Sequence, residues 1–315
     1  MNTWIRTVLG DIDPADLGWC QCHEHLLLAD GPSRRISGAL YMPDYDKALA
    51  ELKLYSRAGG KSMVDAQPYG CGRMAEETAQ ASKASGVHII ACTGFHKTEF
   101  LEESVLSRGG GELSHIYANE VWHGMMGADG GRMKARAGIV KCAAVAGEMD
   151  ASPAYAVLFE AAAQAASQTG APVMVHTDKG ADALRILAYF EQFGILPGQV
   201  MICHMDRSYD DIKVHEQVAE SGAYLEYDTI HRLKYRSDEQ EIDLIAHMVE
   251  RGHGGQLLLG MDTTNERLKS YGADFGTDFI LETFQSRLAE RIGAQMVETI
   301  MVKNPARALA MSVEI

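Results

Sequence analysis

Eight short apolar runs recur along the chain: Leu17 to Cys22, Ser62 to Ala66, Val87 to Thr93, Ala137 to Ala143, Pro172 to His176, Gln199 to His204, Ala223 to Asp228 and Gln256 to Asp262. Each is the length of a strand, and helical stretches lie between them. From Ala183 to Phe193, for example, Ala183, Ile186, Phe190 and Phe193 keep the three-to-four spacing of an amphipathic helix, and Gly194 supplies a stop. Strand alternating with helix gives βα units and a parallel sheet. Eight such units in 315 residues predict a (β/α)8 TIM barrel of the α/β class, a single domain spanning 1–315. A doubly wound open sheet would carry its GxGxxG loop after the first strand, and here that strand runs into histidines instead.

Composition narrows the chemistry. A hydrophobic content of 46% supports a large core, and a net charge of −14 opposes binding to nucleic acid or anionic membranes, which need basic surfaces. Small-molecule chemistry is the better expectation. Residues 1–18 lack the apolar segment of a signal peptide and no run reaches membrane-spanning length, so the expected location is cytoplasmic. Six cysteines in a chain this long fit reduced, buried thiols, with Cys92, Cys142 and Cys203 inside strand-like runs. Cys20 and Cys22 form a C-x-C that no second cysteine pair completes into a thiolate site. The glycine-rich pieces Arg108 to Gly111 and Gly127 to Gly131 flank the long third connection and read as flexible loop.

Polar residues fall at equivalent places on the runs. His23 and His25 close the first, Lys141 lies in the fourth, His176 ends the fifth, His204 the sixth and Asp262 the eighth. Residues i and i+2 of a strand share a face about 6.5 Å apart, so His23 and His25 can converge on one ion. An HxH alone is weak evidence. Six nitrogen or oxygen groups at the strand ends would instead meet in one cup at the mouth of a barrel.

These pieces, His23-Glu24-His25, Gly138 to Lys141, Val175-His176-Thr177, Cys203 to Asp206, Gly260 to Thr263, Asn304 to Arg307 and the loop Asp65 to Arg73, resemble the phosphotriesterase-like branch of the amidohydrolase superfamily over almost the whole chain. The resemblance implies a binuclear metal centre with His23, His25 and Asp262 on one ion, His176 and His204 on the other, and Lys141 between them. An ammonium has no lone pair to donate, and the family answer is a lysine carbamylated by carbon dioxide. Zinc, manganese, cobalt and iron all suit this donor set. Two such ions keep a bridging hydroxide available for hydrolysis, with Asp262 as proton acceptor and Asp206 and His231 as orienting or relay partners. A homodimer is a further expectation from the family.

Positive charge near the mouth points to the substrate. Arg207 follows the sixth strand, Lys234 lies after the seventh, and Arg267, Lys269 and Tyr271 lie after the eighth, with Tyr69 in the loop after the second. Such a set suits an anionic substituent remote from the reacting carbon. The expectation is a metal-dependent lactonase acting on a sugar lactone that carries a phosphate. The alternatives are a phosphotriesterase or carboxylesterase with an apolar pocket and, outside enzymes, a metal-dependent binding protein.

Overall fold

The structure is a computed structural model that describes residues 3–149, 151–207 and 212–311. An antiparallel hairpin, β1 (Ile5–Thr7) and β2 (Gly10–Ile12), precedes the barrel. Eight parallel strands follow: β3 (Cys20–Glu24), β4 (Ser62–Asp65), β5 (His88–Gly94), β6 (Ile139–Ala143), β7 (Val173–His176), β8 (Val200–Ile202), β9 (Tyr224–Tyr227) and β10 (Leu257–Leu259). They pair in sequence order from β3 to β10. The sheet curls until β10 lies against β3, where the Asp262 N–H donates to the His23 carbonyl at 3.0 Å. Helices alternate with the strands, and the expected (β/α)8 architecture is the one observed.

Two layers of core account for the closure. Inside the barrel, Cys20, Cys22, Ile90, Cys92, Met201 and Cys203 pack together. Outside, helices Gly110–Trp122 and Pro153–Thr169 bury Leu113, Tyr117, Leu158 and Phe159 against the sheet. All six cysteines are free and buried, and burial pushes the thiols of Cys92, Cys142 and Cys203 up, as suits small apolar residues. No described helix is long and apolar enough to cross a membrane.

Element boundaries shift from the sequence reading by a few residues, and some of the shifts bear on the site. The runs ending in His204 and Asp262 stop as strands at Ile202 and Leu259, because His204 and Asp262 take left-handed backbone, with φ of 63° and 46°. That turn ends the ladder and redirects both side chains. The helix expected from Ala183 to Phe193 runs Ala183–Glu191, with Gly194 (φ +75°) in the turn beyond it. The Arg108 to Gly111 piece is corrected: Gly110 and Gly111 open a helix rather than a flexible loop. Burial of Leu113, Tyr117 and Val121 one to three turns later outweighs the glycine cost of about 1 kcal/mol each.

Gly94, at the end of β5, shows how tightly the mouth is built. Its φ is +89°, and a Cβ there would lie 1.9 Å from the Lys141 carbonyl oxygen. Gly94→Ala should therefore destabilise the protein by roughly 2–4 kcal/mol, combining left-handed strain with overpacking. Urea denaturation measures the change, and an unaltered midpoint would contradict the packing described.

Candidate metal centre

The end of β3 starts the site. The pairing of β3 with β4 shifts register between Gln21 and Glu24, and at this irregularity His23 is buried in the barrel, with His25 following just past the last paired residue. Between them Glu24 points the other way, across the seam. Its carboxylate accepts the Met261 N–H at 2.8 Å and the Thr263 N–H at 3.2 Å, which fixes the backbone on either side of Asp262. Thr263 adds its hydroxyl to the His25 backbone, accepting from the N–H and donating to the carbonyl. Burial pushes the Glu24 carboxyl up to about 8 against these bonds.

Asp262 is thereby brought to the two histidines: its Oδ1 lies 3.4 Å from His25 Nε2 and 3.9 Å from His23 Nε2. The three donor atoms lie within 4.8 Å of one another. On the far side of the cup, His204 Nε2 meets His176 Nδ1 at 2.7 Å, and the His23 and His204 ring centroids are 5.0 Å apart. Lys141 stands on β6, 1% exposed, with its Nζ donating to the Ala66 carbonyl at 2.6 Å. The six strand-end residues thus surround one cup.

Electrostatics prepares these groups as ligands. Burial first, and then nearby positive charge, holds His23, His176 and His204 well below the ordinary histidine range, so their rings are neutral at pH 7. Burial opposes the charge on Asp262, but the guanidinium groups of Arg207 and Arg232 overcome it and keep this carboxyl well below its usual range. Arg207 Nη2 donates to Asp262 Oδ2 at 2.5 Å, and Arg232 donates to the same oxygen. Among the described residues, the buried His25 Nδ1 and His176 Nε2 have no hydrogen-bond partner, the latter lying 3.8 Å from Asp178 Oδ1. Neutral imidazoles, an ionised carboxylate and unpartnered ring nitrogens fit divalent ions of the zinc, manganese, cobalt or iron type.

The other residues singled out from sequence have different surroundings. Asp206 accepts from the Thr229 N–H and hydroxyl at 2.6 and 2.5 Å, and burial pushes it up to about 7. His231 lies against Phe275 and Phe279, its Nδ1 3.0 Å from Asp238. Arg267 is spent on the carbonyls of Ile230, His231 and Met261. Lys269 pairs with Asp278 at 2.6 Å, and the Tyr271 ring lies under Lys47. Both therefore face the helix Tyr45–Arg57, whose Glu51 accepts the Ser270 N–H. Tyr69 packs edge-on against Tyr117. Lys234 lies over the Tyr235 ring, to which Arg207 and Arg232 also turn their guanidinium groups.

Sequence reasoning passed over Glu226 and Asp228, and read Arg232 only as one cation of the loop after the seventh run. The signal for the first two was present: they stand at i and i+2 at the end of the seventh run, the same spacing that drew attention to His23 and His25.

A barrel whose strand ends gather imidazoles and carboxylates in this way has the build of a metal-dependent hydrolase. Residues 3–309 match the model of the Phosphotriesterase family, and the chain belongs to that family; it is a hydrolase. A "Phospho-furanose lactonase" of Mycoplasmopsis synoviae is 30% identical over 98% of this chain and 92% of its own length. Among solved structures, an amidohydrolase from Mycoplasma synoviae matches with a TM-score of 0.93 at 28% identity, covering 100% of this chain and 94% of its own. A lactonase from Listeria monocytogenes matches with a TM-score of 0.89 at 27% identity, over 98% and 100% of the two chains.

Glu24 carries a testable consequence. Glu24→Ala orphans two buried N–H groups and should cost roughly 2–6 kcal/mol in metal-free protein, at about 1–3 kcal/mol for each. Glu24→Gln keeps one acceptor oxygen and should cost less than half of that. Equal stability of all three proteins in chemical denaturation would remove Glu24 as the clamp of the seam.

Proposed function

We propose that this hydrolase opens a sugar lactone carrying a phosphate remote from the ring carbonyl. The observation that carries the reading is the grouping of Arg207, Arg232 and Lys234 around Tyr235, directly beside Asp262 and the histidine cup, in a chain that is otherwise acidic. A neutral triester gains nothing from such charge, whereas a phosphate or carboxylate does. The similarity to a phospho-furanose lactonase supports the same substrate class.

His23, His25 and Asp262 would hold one divalent ion, and His176 and His204 a second, with carbamylated Lys141 between them; zinc is the first choice. Bound there, the ions supply Lewis acidity toward the carbonyl and lower the pKa of water. The chain's own groups do the rest. Water's oxygen bonds to the ring carbonyl carbon while Asp262 takes a proton from it. The ring C–O bond then breaks, and Asp262 returns the proton to the departing alkoxide, giving a hydroxy acid. A carboxyl held low by two arginines starts ionised and releases a proton readily. Asp206 and His231 frame the loop after β9 through Thr229 and Asp238. Arg267 braces the same loop through the carbonyls of Ile230 and His231, while Lys269 pairs with Asp278, Tyr271 lies under Lys47 and Tyr69 packs on Tyr117.

Turnover of a panel of lactones with and without a phosphate, by metal-replete protein, tests the reading. Lys234→Ala should lower kcat/KM for a phosphorylated lactone by roughly tenfold to 100-fold, the scale of a charged hydrogen bond, and barely alter an unphosphorylated one. Equal losses on both substrates would make Lys234 a shaping residue; turnover of neutral triesters alone would replace the lactonase reading with the esterase one.

Lys141→Ala should lose metal and activity together, with partial recovery from added short carboxylic acids that fill the bridge position. Full metal content by elemental analysis, with normal turnover, would refute the bridging role.

A further inference from the structure

We infer that Glu226 and Asp228 are positioning residues, each serving one half of the centre: Glu226 fixes the ring of His23 and Asp228 fixes that of His204. The inference rests on the ligand assignment proposed above. Both stand on the inward face of the barrel, at the end of β9 and just beyond it, and both are 0% exposed. Glu226 Oε2 lies 2.7 Å from His23 Nδ1, and Asp228 Oδ1 lies 2.6 Å from His204 Nδ1. A neutral imidazole that donates from Nδ1 keeps its Nε2 lone pair for the cup.

The two side chains differ in length for a geometric reason. Asp228 is level with the mouth, so a short side chain reaches His204; its Oδ2 also accepts the His204 N–H at 2.8 Å, which secures the left-handed turn. Glu226 starts one layer deeper in the barrel and needs the extra methylene to reach His23.

Other buried carboxylates here hold the framework together. Glu24, Glu51 and Asp206 each accept backbone N–H groups from distant segments. Among the described residues Glu226 has no such bond: its Oε1 lacks a hydrogen-bonded nitrogen or oxygen partner, and its carboxylate groups with His23, Asp228 and the Cys203 sulfur. A buried carboxylate without framework bonds costs stability, so orienting a ring is the work left to it. The four histidines then divide evenly. Each half has one anchored ring, His23 or His204, and one whose outer nitrogen, His25 Nδ1 or His176 Nε2, has no hydrogen-bond partner among the described residues.

Stepwise zinc binding to the chelator-stripped protein, read against a chromophoric competitor, tests the division, with the visible spectrum of the cobalt-loaded protein as a second readout. Glu226→Ala should weaken one of two equivalents by roughly 10-fold to 100-fold and Asp228→Ala the other. Glu226→Gln, which keeps an acceptor oxygen, should restore most of the affinity, and Glu226→Asp, one methylene short, should not; this pair keeps the test decisive if the alanine variant does not fold. His23→Ala must weaken the same equivalent as the Glu226 variants. If His23→Ala leaves both equivalents intact, the ligand assignment falls and the inference with it. If His23→Ala weakens one while the Glu226 variants bind and absorb as the unmodified protein does, the assignment stands and this inference is overturned. Equal weakening of both equivalents by either substitution would also overturn the division into halves.

Discussion

Closure of the sheet along one seam is the constraint on which the site depends. His23 and Asp262 are far apart in the chain and become neighbours only because β10 lies against β3. Gly260 allows the approach: a Cβ at that position would sit 2.9 Å from the His23 backbone nitrogen. Glu24 then converts proximity into register by holding both sides of Asp262 through backbone N–H groups. The bond energies are ordinary, but the groups they satisfy are buried, and leaving those groups unpaired is what would be costly.

The cup concentrates polar groups that a barrel interior would otherwise reject. Lys141, His23, His204, Glu226 and Asp228 are all buried together, above an apolar interior of cysteine, methionine and isoleucine. Low polarity keeps the imidazoles uncharged and their lone pairs free. It also raises Asp228 to about 7, burial outweighing Arg207. Asp262 is held low, because two guanidinium groups reach it from the loops after β8 and β9. One strand end thus carries a committed anion within a neutral donor set.

The cations of the mouth divide by what the backbone leaves open. Arg267 satisfies three carbonyls at the base of the loops, and Lys269 turns to Asp278 beside the helix Tyr45–Arg57. Arg207, Arg232 and Lys234 collect instead on the Tyr235 ring, whose face attracts cations. Residues adjacent in sequence therefore do different work, some bracing loops and others facing the cup.

The sequence by itself determined the alternation of strand and helix, the barrel, the family, and the six strand-end residues from His23 to Asp262, because periodicity and strand-end position are local properties of the chain. It could not separate Arg207 and Arg232, which reach Asp262, from Lys269, which does not, since a loop cation's direction is set by its acceptors on other elements. The helix at Gly110 was hidden for a related reason: glycine's local preference yields to packing of Leu113, Tyr117 and Val121 supplied by the sheet and the helix Pro153–Thr169. The pairing of Glu226 with His23 and of Asp228 with His204 was decided by tertiary structure alone, through the closing of the barrel around its inward-facing side chains.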